Sequence, residues 1–338
     1  MPIRSHVRGT VGLNVYWGVG TALWLAAVHL RGLLHRAESQ FDLIHCHCSG
    51  VPTPLIVGVV AKEVLKLPLV FTVHCSRLST YEPMNAFDRL INGWALRAEA
   101  WCLSRANRIM VLTERTAKCL RDKVPVLAKT PIHVVPDFIS FAEARSAAAP
   151  ELQAAFRCRF SLPEGKRLIV YAGRIAHEKG WPHFIGIAER LGRPDVHFLV
   201  CGDGNERLSM ERAIARRGLR DRFTITGFIE NRAVLTGLSI ADVVVIPSVH
   251  EEFGSLLLEA ASVEAPVVAS EVGGLAENLD NQTAILVPPK DDDAFAQKVA
   301  MLLDDSSYAR ALGRRLRDAL EPRFDESHII DRVLDCYQ

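Results

Sequence analysis

Two glutamates stand with seven residues between them in an otherwise apolar stretch, HEEFGSLLLEAASVEAPVVAS, residues 250–270. Glu251 lies in a predicted loop, and Glu259 lies on the helix that follows, sharing a face with Ser255 because residues four apart lie on one side of a helix. A carboxylate repels a diphosphate but accepts hydrogen bonds from hydroxyls. The pair therefore predicts recognition of ligand hydroxyls. A helix that simply begins with favourable acidic side chains explains Glu251 and Glu252, but explains Glu259 poorly.

The turn that opens this helix is suited to an anion. Gly254 lets a ligand come close to the backbone, and the free N–H groups of a first helical turn favour negative charge. The strand DVVVIPS, residues 242–248, leads directly into this loop. The predicted site therefore lies at the carboxyl end of a strand.

A second motif, YAGRIAHEKGWPHFIGIAERL at 171–191, supplies positive charge. Arg174 and Lys179 stand five apart across a glycine-flanked turn after a strand. A guanidinium binds phosphate through a bidentate fork, and an ammonium binds it as a point charge. Each residue alone is typical of a protein surface, but their joint position at a strand end predicts that they bind two phosphates.

The elements that must position these residues are strands alternating with helices, which indicates parallel sheets with crossover helices. Residues 140–153, small, polar and alanine-rich, predict a linker between two series of strands. We therefore predict an α/β fold of two doubly wound halves, with the site at the carboxyl ends of strands. The strands are predicted at 41–47, 68–74, 108–113 and 132–136, then at 167–173, 196–204, 222–227, 242–248 and 265–270.

Length and charge narrow the classes of function. The 338 residues suffice for two domains. Lys plus Arg, at 40, nearly equal Asp plus Glu, at 39, so the net charge of +1 gives no sign of a nucleic-acid partner. The eight cysteines are scattered, unlike those of a secreted disulfide scaffold, and are predicted to be reduced.

The apolar run from Val15 to Leu30 follows Arg4 and Arg8 and resembles a signal peptide or membrane anchor. It contains glycines and is shorter than the roughly 18 residues of a spanning helix. We predict instead a buried amphipathic helix over residues 21–37 and a cytoplasmic protein, with export or anchoring as the alternative.

A cluster of histidines and cysteines, His45, Cys46, His47 and Cys48, has the residue types of a zinc site. In a strand the two histidines face one side and the two cysteines face the other. Because a structural zinc site needs four ligands around one point, we predict no metal there. His47, at the strand's carboxyl end, remains a candidate for contact with an acceptor.

Four motifs together resemble the retaining GT-B glycosyltransferases of glycosyltransferase family four. They are YAGRIAHEKG (171–180), CGDG (201–204), GFIENRAVL (227–235) and PSVHEEFGSLLLEAASVEAPVVASEVGGLAEN (247–278). The resemblance covers residues 41–338 and is most specific over 167–290. It implies two Rossmann-like domains facing across a cleft, a nucleotide-sugar bound mainly on the second, and no metal or further cofactor. We expect domains at 1–146 and 147–318, and a C-terminal helix, 319–338, that packs back on the first domain.

The resemblance also implies roles for individual residues. Arg174 and Lys179 would bind the donor diphosphate, Glu259 the ribose hydroxyls, and Glu251 the hydroxyls of the transferred sugar. His74, which ends the strand PLVFTVH, would reach that sugar from the first domain; without the resemblance, a histidine satisfied within the core is an equal alternative. Backbone groups of Gly254, Ser255 and Leu256 would line the diphosphate and sugar, and the turn at Phe228 and Ile229 would face the base.

Two departures from the family concern the acceptor side. The family begins with a strand and a glycine-rich loop, followed by more α/β structure, whereas here only 40 residues precede the strand at 41–47. The first domain is therefore expected to be shortened at its front. Where the family often has P-N-G-V, this chain has Pro136, Asp137, Phe138 and Ile139. Acceptor binding is the part least transferable from the family.

The implied activity is transfer of a hexose or N-acetylhexosamine to a small acceptor with retention of configuration, and the expected donors are UDP-glucose or UDP-N-acetylglucosamine. The resemblance implies a front-face substitution in which the leaving diphosphate assists the incoming hydroxyl. The sequence EEFGSLLLE, residues 251–259, is similar to the corresponding segment of aminocyclitol glycosyltransferases of aminoglycoside antibiotic pathways. Alternatives are a cell-envelope or lipid-linked acceptor, a nucleotide-sugar-binding protein without transferase activity, and a GT-B epimerase.

Overall fold

The chain consists of two compact units. The structure, a computed structural model, describes residues 41–79 and 86–338. The first unit extends to Val134 and includes Tyr337; the second comprises Val135–Cys336 and Gln338. The helix predicted over residues 21–37 lies outside the described residues, as do the apolar run and the front of the first domain.

The first unit contains a parallel sheet with the strand order β1-β2-β3-β4. All four strands predicted for this half are confirmed, with bounds shifted by a few residues. Strand β2 is buried along most of its length because its apolar and β-branched side chains pack on both faces of the sheet. The strands are β1 (Ile44–Ser49), β2 (Leu69–Cys75), β3 (Arg108–Val111) and β4 (Ile132–Val134), and the helices are α1 (Pro52–Leu65), α2 (Ala86–Leu103) and α3 (Glu114–Lys123).

The second unit contains a six-stranded parallel sheet with the order β10-β9-β8-β5-β6-β7. The chain starts in the middle at β5, builds outward to β7, and then returns to the other side of β5 with β8. This reversal defines the doubly wound fold that the sequence predicts. The described strands of the first unit follow chain order without such a reversal. The strands here are β5 (Arg167–Ala172), β6 (Val196–Cys201), β7 (Phe223–Ile225), β8 (Val243–Ile246), β9 (Val267–Ser270) and β10 (Ile285–Val287).

Ten α-helices accompany this sheet in the described part of the second unit. Residues 140–153, predicted as a linker, contain a short α-helix, a 3-10 helix at Ser146–Ala148 and the start of a second α-helix. The acidic run from Asp291 to Asp293 begins a helix, with the Asp291 side chain accepting from the Ala294 N–H. The helices are α4 (Phe141–Arg145), α5 (Pro150–Arg159), α6 (Trp181–Leu191), α7 (Arg207–Arg216), α8 (Asn231–Ser239), α9 (Leu256–Ser262), α10 (Gly273–Asn278), α11 (Asp292–Asp304), α12 (Ser306–Phe324) and α13 (Glu326–Asp335).

The core of the second unit fixes the sheet that carries the site. Ile169, Phe198 and Val243, from the three central strands β5, β6 and β8, are fully buried in one apolar cluster. Strand β10 was missed by the sequence analysis because its three residues form too short an apolar run before Pro288. The packing of residues 319–338 on the first domain stays a prediction.

Within the described ranges, no helix is both long and apolar enough to cross a membrane.

Candidate functional site

A cavity of about 550 Å³ opens in the second unit at the carboxyl ends of β5, β6 and β8. It lies where the strand order reverses, the usual position of ligand sites in doubly wound sheets. Nine of the ten residues predicted for the site line it: Arg174, Lys179, Phe228, Ile229, Glu251, Gly254, Ser255, Leu256 and Glu259. These nine residues therefore share the wall of one cavity, and the role of each stays a prediction.

Close backbone packing brings the two motifs together. Gly180 has φ +72°, and a Cβ on it would lie 1.8 Å from the Pro247 carbonyl oxygen. Only glycine fits this approach, so the turn after β5 lies directly against the loop after β8. Two further hydrogen bonds join the loops, from the N–H groups of Val249 and His250 to the Glu178 carbonyl, at 2.9 and 3.3 Å.

An ion pair between Lys179 and Glu251 connects the basic motif to the first of the two glutamates. Lys179 Nζ donates to both carboxylate oxygens, at 2.7 Å to Oε1 and 2.8 Å to Oε2. Ser248 Oγ donates to Oε2 at 3.0 Å. The Glu251 side chain is only 10% exposed, and that of Lys179 is 31% exposed. These contacts fix the position of the buried Glu251 carboxylate and of the Lys179 ammonium at the cavity wall.

The Arg174 side chain at the cavity is more exposed to solvent than that of Lys179. Its guanidinium donates to Glu178 Oε1 at 2.5 Å, and its side chain is 64% exposed. An ion pair as exposed as this contributes little to stability. The guanidinium can therefore exchange Glu178 for an anionic ligand at small cost.

The Glu259 carboxylate, on α9, has a hydrogen-bond partner of its own. Asn231 Nδ2 donates to its Oε1 at 2.6 Å. Burial raises the pKa of the Glu259 carboxyl, while the hydrogen bond from Asn231 opposes that rise. The second carboxylate oxygen can accept a further hydrogen bond, as recognition of a hydroxyl requires.

The turn after β7 presents an aromatic ring to the cavity. Phe228 is 85% exposed, whereas its neighbour Ile229 is buried. A flat apolar ring left in solvent at a cavity wall offers a face on which a planar ring can stack. This geometry is compatible with the predicted contact between the turn and a nucleobase.

Two contributors to the site, Ser248 and Asn231, were missed by sequence reasoning, and a third, Asp137, was noted only as a departure from the family. Ser248 is the last residue of the motif DVVVIPS and lies three residues before Glu251. This short spacing could have indicated the hydrogen bond between their side chains. Asn231 lies in the quoted motif GFIENRAVL, with nothing to indicate its contact with Glu259. Asp137, where the family often has Asn, accepts from Ser255 Oγ at 2.6 Å.

His74, the tenth predicted residue, lies in the first unit. Its Nε2 is 2.8 Å from Nδ1 of His47, which lies on the neighbouring strand. His45, two residues before His47, contacts Thr72 Oγ1 at 2.7 Å and the Tyr337 hydroxyl at 2.8 Å. In the described ranges no three His, Cys, Asp or Glu side chains form a group that could hold a metal ion.

His45 should make the protein sensitive to acid. Burial, with smaller contributions from the charges of His47 and His74, lowers its pKa to about 4. In the unfolded chain, the His45 ring binds a proton near pH 6.5, whereas in the folded protein it stays neutral down to about pH 4. The free energy of unfolding is therefore highest, as far as His45 is concerned, above pH 6.5, and it falls as the pH falls towards about 4. We expect His45→Gln to reduce the fall in melting temperature between about pH 7 and pH 4.5, measured by circular dichroism. Exposed His177→Gln should leave that fall unchanged, and an equal fall in His45→Gln would contradict the assignment.

Comparisons with known proteins agree with the geometry. Residues 4–143 match the family described as Glycosyltransferase Family 4, and residues 153–319 match Glycosyl transferases group 1. The 2-deoxystreptamine glucosyltransferase of Streptomyces kanamyceticus is 39% identical over 99% of this chain and 85% of its own length. The 2-deoxystreptamine N-acetyl-D-glucosaminyltransferase of Streptomyces fradiae is 38% identical over 99% and 78%.

A solved structure supports the fold. Anabaena HepE, crystallised with UDP-glucose, matches with a TM-score of 0.77 at 19% identity, over 93% of this chain and 80% of that chain. At this level of identity the likeness concerns the fold alone. Two Rossmann-like domains of the GT-B type are therefore shown.

Proposed function

The chain belongs to the group 1 and family 4 glycosyltransferases, and from this premise we propose that it moves a hexose or N-acetylhexosamine from UDP to an aminocyclitol hydroxyl. The configuration at the anomeric carbon is retained. The proposal is carried by one observation, the convergence of two cations and two carboxylates, Arg174, Lys179, Glu251 and Glu259, on a single cavity.

The cations suit a diphosphate even though both are paired in the structure. An ammonium has three N–H donors. Two of them suffice for the Glu251 oxygens, and the third remains for a phosphate oxygen. Arg174 can turn from Glu178 to offer two parallel N–H groups. The donor diphosphate thus meets the Lys179 ammonium in a fixed position and the Arg174 guanidinium after it turns from Glu178.

The carboxylates suit the sugar hydroxyls at either end of the donor. In the proposal Glu259 accepts from the ribose, Glu251 accepts from the transferred sugar, and Phe228 with Ile229 contacts the base. Backbone groups of Gly254, Ser255 and Leu256 line the diphosphate and sugar. His74 also contacts the transferred sugar, a role that rests on the family resemblance.

The reaction proposed is a front-face substitution. The acceptor oxygen forms a bond to the anomeric carbon as the bond from that carbon to the β-phosphate oxygen breaks, and the hydroxyl proton passes to the departing phosphate. Arg174 and Lys179 stabilise the negative charge that develops on UDP, an electrostatic effect that is strongest when the charges are already in place. The proposed mechanism therefore uses no divalent metal.

Relatives support the choice of donor and acceptor. Two proteins 38% and 39% identical to this chain are named for transfer of N-acetyl-D-glucosamine or glucose to 2-deoxystreptamine. UDP-N-acetylglucosamine and UDP-glucose are accordingly the proposed donors, and a diaminocyclitol is the proposed acceptor.

We also propose a cytoplasmic location and no nucleic-acid partner. Cys48, Cys102 and Cys201 are buried free thiols, as suits a reducing compartment. The near balance of basic and acidic residues supports the proposal that the protein has no nucleic-acid partner.

The test is product formation followed by mass spectrometry. The purified chain is incubated with UDP-glucose or UDP-N-acetylglucosamine and with 2-deoxystreptamine, a neutral cyclitol, a lipid phosphate or no acceptor, each with and without EDTA. We expect a monoglycosylated 2-deoxystreptamine in both the presence and absence of EDTA. Product on the lipid phosphate alone favours an envelope function, loss of product in EDTA with recovery on adding magnesium overturns the metal-free mechanism, and donor binding without any product favours a binding protein.

A further inference from the structure

Asn231 has no role in the proposed function so far, although its side chain contacts a residue of the cavity wall. It is the first residue of α8, and Glu259 lies in the first turn of α9. Asn231 Nδ2 donates to Glu259 Oε1 at 2.6 Å. An ionised carboxylate only accepts hydrogen bonds, so the amide nitrogen of Asn231 must face it. Such a hydrogen bond is charge-assisted and stronger than one between neutral groups.

The surroundings of Glu259 make Asn231 the main support of its charge. The neighbours of Glu259 on α9 are apolar and mostly buried. Burial raises the pKa of the Glu259 carboxyl, and the hydrogen bond from Asn231 lowers it. The cations of the cavity wall, Arg174 and Lys179, are ion-paired with other carboxylates. Within the described residues, the Glu259 carboxylate therefore relies on a single side-chain donor.

The same hydrogen bond sets the orientation of the carboxylate. A glutamate side chain has several rotatable bonds, and ordering it when a ligand binds costs free energy. With Oε1 bound to Asn231, the carboxylate is oriented before a ligand arrives, and Oε2 remains to accept a hydroxyl. Asn231 itself lies outside the cavity wall, whereas Glu259 is part of it.

We propose that Asn231 is a positioning residue for Glu259: it binds Oε1, keeps the carboxylate ionised, and leaves Oε2 to recognise a ribose hydroxyl of the donor nucleotide. The inference rests on the proposed function in one respect, since it is there that Glu259 accepts from the ribose. It adds that the chain distinguishes a ribonucleotide from a deoxyribonucleotide through two side chains, one of which touches no ligand.

Three substitutions at Asn231 separate positioning from packing. Asn231→Leu has nearly the same shape but no donor, and Asn231→Asp has the same shape but places a second carboxylate beside the first. Asn231→Gln keeps the amide donor on a longer side chain. Asn281→Leu is the matched control, because Asn281 is an exposed asparagine outside the cavity wall.

The ionisation of Glu259 is measured first, on the full chain without nucleotide. Carbon-13 NMR of the glutamate carboxyl carbons follows the titration, and the signal that is lost in Glu259→Gln identifies Glu259. We expect the wild type, Asn231→Gln and Asn281→Leu to titrate alike, with Glu259 ionised at about pH 7. In Asn231→Leu and Asn231→Asp, Glu259 should titrate at a higher pH, because its ionised form has lost a donor or gained a like charge.

Nucleotide binding is measured next, by titration calorimetry with UDP, 2′-deoxy-UDP and 3′-deoxy-UDP. The wild type should bind at least one deoxy analogue less tightly than UDP. Asn231→Leu should lose about 3- to 10-fold in affinity for UDP, the effect of one hydrogen bond, and little for that analogue. Asn231→Asp should lose at least as much affinity for UDP, and Asn231→Gln should keep most of it.

Three results overturn the proposal: a wild-type Glu259 that is protonated at about pH 7, an unchanged titration of Glu259 in Asn231→Leu, or a loss of affinity in Asn231→Leu that is equal for UDP and both deoxy analogues. If the wild type binds no UDP, or binds all three nucleotides equally, the ribose role in the proposed function fails. The NMR titration then still decides whether Asn231 keeps Glu259 ionised.

Discussion

Replacing Lys179 by alanine is expected to lower turnover about 100- to 1000-fold, the usual effect of removing one preorganised charge donor from an active site. The loss arises because the third N–H of the ammonium no longer stabilises the departing diphosphate. Initial rates of UDP release measure the effect. Circular dichroism melting verifies folding, which matters because the mostly buried Glu251 carboxylate then keeps only the hydrogen bond from Ser248.

Lys298→Ala is the matched control, since Lys298 is an exposed lysine on α11. It should retain wild-type turnover. If Lys179 were merely a surface lysine beside Gly180, its replacement would also leave turnover unchanged, and that result would remove Lys179 from the site.

Glu259→Ala is expected to weaken UDP binding by about 1.5 to 3 kcal/mol, or roughly 10- to 150-fold, because ribose hydroxyls lose a charged acceptor. Titration calorimetry with UDP measures the change. The wild-type affinity should also fall on acidification, and at a higher pH than for an ordinary glutamate, because burial raises the pKa of Glu259 and the protonated form accepts less well.

Glu189→Ala is the control for Glu259, because Glu189 is an exposed glutamate on α6. Its affinity for UDP should match that of the wild type. Unchanged affinity in Glu259→Ala would instead limit Glu259 to its hydrogen bond with Asn231 and refute the ribose role.

Much of the second unit could be predicted because its signals are local. Short β-branched runs predict the strands, and strand ends in a parallel sheet lie on one edge, so Arg174 and Glu251 could be placed at one site without knowing the strand order. Strand β10 could not be predicted, since Ile285–Val287 is too short to show a pattern.

Specific side-chain partners could not be predicted. The family resemblance implies separate roles for Lys179 at the diphosphate and Glu251 at the sugar, whereas in the structure an ion pair joins these two side chains. These residues are 72 positions apart, and their contact depends on β5 and β8 being neighbours, which only the fold determines. The bond between His47 and His74 likewise depends on the register of β1 and β2.

The central claim, that this chain transfers a sugar from UDP to an aminocyclitol with retention, is tested most directly by proton NMR of the reaction as it proceeds. The donor sugar is α-linked to UDP, so with retention we expect an α-linked sugar on 2-deoxystreptamine, formed at the same rate as free UDP. A β-linked product would contradict retention, and UDP-sugar that is unchanged or converted only to free sugar or an epimer would contradict the transfer itself.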